Sequence, residues 1–419
     1  LWIQMTPNLY TKTYWLNSLI IFLFFALLFI VKGNFAANAV FLLLVSMLSA
    51  PRYLKYIKRI NHAYPIWAVT VSILFIIDLA LRENWDKDIL NLPIFFIGTI
   101  PIYYHLSHFG FNKDALFWGL YLSAIVGGIN VLVFTTNSRP YLANINPIMM
   151  GSIAVFLLVF SGYRLLATWK DLLRRPLEII AASYALIGSF FMIIASASRG
   201  PLITFVILLG FIAIYFKLYR EKLFYIGSIA IFALSTSCYL GYQEQTMNKR
   251  ISSAVQQLVK KNDGVIVDKS TTIRTDLYKS AIEMAKSNLI LGTGFRNRHE
   301  HAEVAQKSLG LDWKYLSGFN HFHSDFFNIL ALFGLLGISM YFCFIYIVME
   351  RFFKITKKLN KHITTIFTCY VLTFVAMGIT DVSVLYTNGT ALLVLPAIFF
   401  LGLINYNELL FNDGIENEI

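Results

Sequence analysis

Long apolar segments set the strongest limit on how this chain folds. About twelve of them are long enough to cross the hydrocarbon core of a bilayer, which is roughly 30 Å thick. With 57% hydrophobic and only 14% charged residues, the sequence also lies far from the composition of soluble globular domains. It therefore predicts an all-α polytopic integral membrane protein. The predicted spans are 16–31, 35–50, 66–81, 90–107, 115–134, 147–165, 178–198, 201–217, 222–241, 323–348, 363–380 and 390–407.

The basic residues indicate how the spans are oriented. The formal net charge is +12, but much of it lies in alternate loops between the spans, as the positive-inside rule requires of cytoplasmic loops. We therefore expect both termini to be cytoplasmic and no partnership with nucleic acid. The cytoplasmic loops would be those that contain Arg52, Lys55, Lys58 and Arg59; Arg164, Lys170, Arg174 and Arg175; Lys217, Arg220 and Lys222; and Arg351, Lys354, Lys357, Lys358 and Lys361.

This topology divides the chain into three expected regions. Residues 1–241 would hold transmembrane helices 1 to 9, residues 242–322 a periplasmic loop with amphipathic helices, and residues 323–419 helices 10 to 12 and a cytoplasmic tail. Within the loop, the segment 271–288 predicts a helix with one apolar stripe, and Gly292 and Gly294 should end it and turn the chain. The stripe consists of Ile273, Leu277, Ala281 and Met284.

Five ionisable residues are predicted at the same membrane face. Arg199 and Asp381 are each the only charged residue in a long apolar region, while Arg274 lies on the predicted loop helix. His321 and His323 come directly before the tenth span. An arginine that reaches the interface, or an aspartate in a surface turn, would explain one of these positions alone. The set as a whole predicts a polar cavity that opens outward.

The residue types favour chemistry on a phosphate-bearing substrate. Guanidinium groups bind phosphate oxygens through bidentate, charge-assisted hydrogen bonds, and a histidine acts as a general base near neutral pH. The chain contains no nucleotide-binding glycine motif, so nothing indicates that ATP drives the reaction. A metal bound by the H-x-H-x-D pattern, with His321 and Asp325 on one helix face, is the rival interpretation, and His321 is also suited to cap the helix.

Several short motifs, in their residues and in their order along the chain, resemble those of the O-antigen ligase family of lipopolysaccharide assembly. They are S-R-G at 198–200, I-R-T-D-L-Y at 273–278, G-T-G-F at 292–295, H-F-H-S-D at 321–325 and I-T-D-V at 379–382. The resemblance implies an inner-membrane glycosyltransferase that needs neither ATP nor a metal and has no cofactor. Its donor would be O-antigen linked to undecaprenyl pyrophosphate, and its acceptor a sugar hydroxyl of the lipid A-core oligosaccharide, reached from the periplasm.

The same resemblance assigns roles to particular residues. Arg199 and Arg274 match the arginines that hold the donor pyrophosphate, and His323 matches the essential histidine that is taken as the base. His321 and Asp381 would support it. Many relatives have Asn where this chain has Ser324, which puts in doubt any contact of that amide.

Two other functions remain open at the level of sequence. An O-antigen polymerase uses the same donor but transfers it to a second lipid-linked repeat, and motifs of this length do not separate the two acceptors. A flippase for lipid-linked sugars would use Arg199 and Asp381 as gating charges, but it predicts charges near the bilayer midplane and an internal repeat. The sequence shows neither feature.

Overall fold

The computed structural model describes residues 7–82, 87–134, 142, 145–167, 174–196, 198, 200–215, 269–295, 298–311, 316, 319, 321–355, 361–382 and 387–412. These residues contain thirteen α-helices, one 3-10 helix at Leu54–Arg59 and one isolated bridge between Leu142 and Ile145. The α-helices are α1 Pro7–Ala26, α2 Asn34–Tyr53, α3 Ala63–Leu81, α4 Lys87–Phe109, α5 Lys113–Phe134, α6 Pro147–Ala167, α7 Pro176–Ser196, α8 Gly200–Tyr215, α9 Lys269–Ser287, α10 Arg298–Ser308, α11 Asp325–Ile355, α12 Lys361–Thr380 and α13 Thr387–Asn412.

The helices confirm the predicted fold class. In the part of the chain that the structure describes, eight helices are long and apolar enough to cross a membrane. The protein is therefore an all-α polytopic membrane protein. The predicted span at 222–241 and the loop segment 242–268 lie outside the described residues.

The chain forms two compact units. The first comprises residues 1–208, 339–377 and 383–419, and the second residues 209–338 and 378–382. In the first unit, α5 and α7 approach each other through glycine: a Cβ atom built on Gly128 would lie 2.4 Å from the Cα of Gly188. Small residues at such a crossing let helix backbones come close enough for van der Waals contact to hold them together in lipid.

The second unit has its own apolar core, which is built on the stripe of α9. Leu277, Ala281 and Met284 are buried, and Ile273 packs against the same cluster. The stripe predicted from the sequence is thus confirmed, and it packs against protein. Its partners on α10, on α11 and in the segment between them are Ala305, Leu316, Phe322 and Ala331.

Helix α11 is interrupted at Gly334, which has φ +60° and ψ −157° inside an otherwise helical segment. The loop after α9 supplies the hydrogen bonds that the helix loses there. The backbone N–H of Thr293 donates to the carbonyl of Ala331 at 2.9 Å, and the N–H of Leu335 donates to the carbonyl of Leu289 at 2.9 Å. Two parallel bonds join Gly294 to Leu332 and Leu336 to Ile290. Because a bilayer offers no water to unpaired backbone groups, a break in an apolar helix needs such partners.

The loop comes this close because Gly292 has no side chain. Its φ is +66°, and a Cβ atom there would lie 2.4 Å from the carbonyl carbon of Leu332. Gly310 has the same φ of +66°, but a Cβ atom on it would meet no other atom within 4 Å. A substitution at Gly310 therefore measures the cost of the left-handed backbone without a steric clash. The predicted helix-breaking role of Gly292 and Gly294 is confirmed, since both have positive φ just after α9.

We expect Gly292→Ala to destabilise the protein much more than Gly310→Ala. A left-handed backbone costs a non-glycine residue about 1–2 kcal/mol, and at Gly292 the clash with the α11 backbone adds to this, for a total of about 3 kcal/mol or more. Denaturant titration of the purified protein in detergent micelles would measure both changes. Equal losses in the two variants would contradict the close contact between loop and helix.

Candidate active site

The backbone at His323 is held in an unusual conformation. Its φ is +50°, and of the residues that the structure describes it is the only non-glycine residue with positive φ. Such strain persists only where the surrounding structure enforces it, and it is common at functional sites. Helix α11 begins at Asp325, so His323 lies before the helix and not inside it as the predicted span 323–348 had it.

Several contacts hold this segment. The hydroxyl of Tyr278 on α9 donates toward the carbonyl of His323 at 3.3 Å and toward the carbonyl of Ile379 at 3.4 Å. The hydroxyl of Ser324 donates to the carbonyl of Gly378 at 2.9 Å. Ser324 therefore tethers the histidine segment to the end of α12.

An acidic side chain from the end of α12 lies beside the ring of His323. The Nδ1 atom of His323 is 3.7 Å from Oδ1 of Asp381, which is only 4% exposed. This distance is longer than a hydrogen bond, and Nδ1 is buried without a hydrogen-bond partner among the described residues. A small rotation of the ring would join the two atoms. Nε2 would then be the nitrogen left to take a proton from a substrate, and the carboxylate would stabilise the resulting imidazolium.

His321 packs against His323, with ring centroids 4.4 Å apart. The backbone N–H of His323 donates to Nδ1 of His321 at 3.2 Å, so the neutral His321 ring carries its proton on Nε2. Burial, with smaller contributions from His323 and Arg298, lowers the pKa of His321 to about 4, while Asp381 opposes the shift. His321 is therefore neutral at physiological pH and helps to fix the backbone of its neighbour.

The structure places a third potential metal ligand, Asp381, beside the two histidines. The local H-x-H-x-D pattern does not contain this residue. One atom from each of His321, His323 and Asp381 lies within 4.8 Å of the other two. Asp325, the ligand considered from the sequence, is instead buried against Gly378, where a Cβ atom would lie 2.7 Å from its carboxylate. The tautomer of His321 works against a metal, because Nδ1 accepts a hydrogen bond and Nε2 carries the proton. The arrangement suits proton transfer better than metal ligation.

Arg274 is linked to this site through Tyr278, which lies one helical turn later on α9. Burial raises the pKa of the Tyr278 hydroxyl; the charge of Arg274 lowers it and that of Asp381 raises it. The structure thus brings together His321, His323 and Asp381, and it places Arg274 on α9 one turn before Tyr278. Arg199 lies outside the described residues. Tyr278 was missed, although its position four residues after Arg274 placed it on the same helix face.

The fold defines the class, a polytopic membrane protein, in which a buried carboxylate lies beside a histidine in a strained backbone conformation. Residues 184–342 match the family model described as O-antigen ligase, and this segment contains four of the five motifs named above. The match supports the resemblance: this segment of the chain is similar to the O-antigen ligase family. An uncharacterized protein of Haemophilus influenzae is 22% identical over 361 residues, which cover 84% of this chain and 87% of that protein.

We expect Tyr278→Phe to lower glycosyl transfer while leaving the protein folded. The variant keeps the ring stacked on Phe327, whose centroid is 4.3 Å away, but loses the hydroxyl that holds the carbonyls of His323 and Ile379. A neutral hydrogen bond of about 1 kcal/mol corresponds to a roughly fivefold loss of kcat. Steady-state kinetics would measure it, with Lys279→Gln on the exposed side of α9 as the control. An unchanged kcat would show that the hydroxyl does not position His323.

We expect His321→Gln to make the protein less sensitive to acid. The pKa of His321 falls from 6.5 in the unfolded chain to about 4 in the folded one, so between these values the unfolded state binds the extra proton. The stability linked to neutral His321 is complete above pH 6.5 and is lost as the pH falls toward 4. Melting temperatures from pH 7 to pH 4 should therefore decline less in His321→Gln. Parallel curves for both proteins would contradict the depressed pKa.

Proposed function

We propose that this protein is an O-antigen ligase. It transfers O-antigen polysaccharide from undecaprenyl pyrophosphate to a sugar hydroxyl of the lipid A-core oligosaccharide. The family match supports a glycosyltransferase of the O-antigen ligase or polymerase type. The observation that carries the specific proposal is the position of His323 beside the buried carboxylate of Asp381, with Arg274 on the adjacent helix.

In the proposed reaction, Nε2 of His323 removes the proton from the acceptor hydroxyl as its oxygen attacks the anomeric carbon of the donor sugar. The bond between that carbon and the pyrophosphate oxygen breaks with inversion, and undecaprenyl pyrophosphate leaves with the electron pair. The proton remains on His323 until it passes to solvent or to the released pyrophosphate. The carboxylate of Asp381 stabilises the imidazolium in the meantime.

Arg274 and Arg199 are proposed to bind the pyrophosphate. A guanidinium holds its charge at any working pH and matches the geometry of phosphate oxygens, so it stabilises the charge that grows on the leaving group. The donor is already activated, which removes the need for ATP. Support for Arg274 comes from its place one turn from Tyr278; Arg199 rests on the sequence motif alone.

The proposed setting is the bacterial inner membrane, with both termini in the cytoplasm and the active site facing the periplasm. The basic loops support this orientation. The apolar helices would accommodate the polyprenyl chain of the donor and contact membrane lipids. A polymerase is the second candidate, because the family description also fits an enzyme that uses the same donor. The residues of the site are proposed to bind the donor and to act as the base, and neither role distinguishes the two acceptors.

We expect His323→Ala to abolish transfer. Loss of a general base lowers a rate by about 10²–10⁴-fold, because the group proposed to take the proton of the acceptor hydroxyl is then absent. Lipopolysaccharide electrophoresis of a deletion strain complemented with the variant should show lipid A-core without an O-antigen ladder, while lipid-linked O-antigen of full length accumulates. His301→Ala on α10 is the matched control and should restore the ladder.

Two results would redirect the assignment. A normal ladder in His323→Ala at equal expression would remove the proposed base. Core that carries a single O-antigen repeat in the deletion strain would instead identify the protein as a polymerase, since chain growth and not attachment would then be missing.

A further inference from the structure

The loop that follows α9 exposes consecutive apolar side chains. Leu289, Ile290 and Leu291 are 51%, 67% and 43% exposed, while Gly292 directly after them is buried against α11. Adjacent large aliphatic side chains on a surface mark a place where lipid or another protein makes contact. We call residues 289–291 the apolar tip.

The backbone of the apolar tip is paired within the protein. The N–H of Leu291 donates to Oδ1 of Asn288 at 3.2 Å, and the N–H of Gly292 donates to the carbonyl of Asn288 at 2.7 Å. The carbonyls of Leu289 and Ile290 accept N–H groups of α11 at 2.9 and 3.1 Å. Each bond satisfies a polar group that would otherwise need water. These backbone groups therefore do not prevent the tip from entering an apolar environment.

The apolar tip is continuous with the lipid-facing surface of α11. Between Phe327 and Gly334, all of which the structure describes, no side chain of α11 is exposed. Exposed apolar side chains begin at Leu335 and recur at Phe342. Leu335 is the residue whose N–H donates to the carbonyl of Leu289. The tip thus joins α11 where its exposed apolar surface starts.

The length of α11 places this junction at the edge of the hydrocarbon core. The apolar helix Asp325–Lys354 has 30 residues, whereas about twenty residues cross a core of roughly 30 Å. The part of α11 after Gly334 is itself about twenty residues long, which is enough to cross the core. The break at Gly334 therefore marks the level at which α11 enters the core, and the apolar tip is bonded to α11 at that level.

Helix α9 descends to this level beside the first part of α11. Near its middle, the ring of Tyr278 stacks on that of Phe327 at 4.3 Å between centroids. Beyond its end, Leu289 is bonded to Leu335, which lies further along α11. The two helices thus run side by side in the same direction, from the histidine segment toward the apolar tip.

The charged residues of α9 stop before the apolar tip. Lys279 and Lys286 are exposed, and Nζ of Lys286 lies 2.6 Å from Oε2 of Glu283. After Lys286 the exposed residues are Ser287, Asn288 and then the three apolar ones. Charged side chains are costly in hydrocarbon, and a lysine near the boundary keeps its ammonium group at the interface. This order is expected of a segment that passes from water into lipid.

We propose that the apolar tip is a membrane anchor. Its three side chains insert among phospholipid acyl chains just below the headgroups, in the leaflet at which α11 begins. Interfacial segments with exposed aliphatic residues bind bilayers in this way. The proposal concerns contact with lipid and does not depend on the ligase function.

The anchor sets the height of the histidine segment above the hydrocarbon core. About nine residues of helix separate Asp325 from Gly334, which corresponds to at most about 14 Å along the helix axis. His323 precedes Asp325 and therefore lies in the headgroup region or above it. A hydrophilic molecule can reach a base at this height without entering the hydrocarbon core.

Spin labels on the full-length protein test the anchor. The three cysteines of the chain are replaced by alanine, and a nitroxide is attached at Ile290→Cys, Val304→Cys or Lys279→Cys. Each protein is reconstituted in vesicles of phosphatidylethanolamine and phosphatidylglycerol that contain no polyprenyl lipid. Relaxation of each label is measured with molecular oxygen, which concentrates in hydrocarbon, and with a water-soluble nickel chelate. Thermal unfolding verifies that each labelled protein is folded.

Val304 is the matched control for Ile290. It is apolar and 63% exposed, but it lies on α10, where Glu303 and Lys307 form an ion pair. Because a hydrated chelate is excluded from hydrocarbon, the ratio of oxygen to nickel relaxation should be roughly fivefold higher at Ile290 than at Val304. The label at Lys279, beside Tyr278, should behave like that at Val304.

The other outcomes overturn the proposal. Equal access of nickel to the labels at Ile290 and Val304 would place the apolar tip in water. A label at Ile290 that neither agent reaches would mean that protein covers the tip, and dipolar broadening between labels would identify a second copy of the chain as the cover. High oxygen access at Lys279 as well would contradict the height assigned to the histidine segment. The measurement uses no sugar substrate, so its result is independent of whether the protein transfers O-antigen.

Discussion

Backbone hydrogen bonding in an apolar setting is the constraint on which the second unit depends. Helix α11 breaks at Gly334, and its freed backbone groups are paired with the 289–294 loop through four hydrogen bonds. The loop follows α9 directly, so the same bonds that satisfy the break also fix α9 against α11. Tyr278 on α9 is thereby held at the carbonyl of His323, just before α11 begins. A requirement of membrane folding thus positions the candidate base.

The contacts around His323 hold its backbone in a strained conformation at the candidate active site. A positive φ turns the ring away from the direction that a continuing helix would give it, and the Ser324 tether and the Tyr278 hydroxyl offset the unfavourable backbone. Asp325 packs against the backbone at Gly378, a position without a side chain, which lets the end of α12 come close enough to deliver Asp381. A side chain held this rigidly would need little reorganisation in the role of proposed base.

Sequence reasoning recovered the features that depend on local pattern. Apolar length predicted the spans, helical periodicity predicted the stripe of Leu277, Ala281 and Met284, and glycine predicted the turn after α9. Features set by contacts between distant segments were not accessible. Topology predicts Asp381 at the same membrane face as His323, but the 3.7 Å approach of its carboxylate to Nδ1 depends on how the end of α12 packs. The positive φ of His323 and the role of Tyr278 depend in the same way on tertiary packing that no single segment encodes.

Two arginines act on the titratable side chains of the second unit. Arg274 acts on Tyr278, and Arg298 acts on His321. Between them His321 stays neutral, since burial disfavours its protonated form more than Asp381 favours it. A buried neutral ring beside His323 thus leaves the positive charge of this region on the arginines.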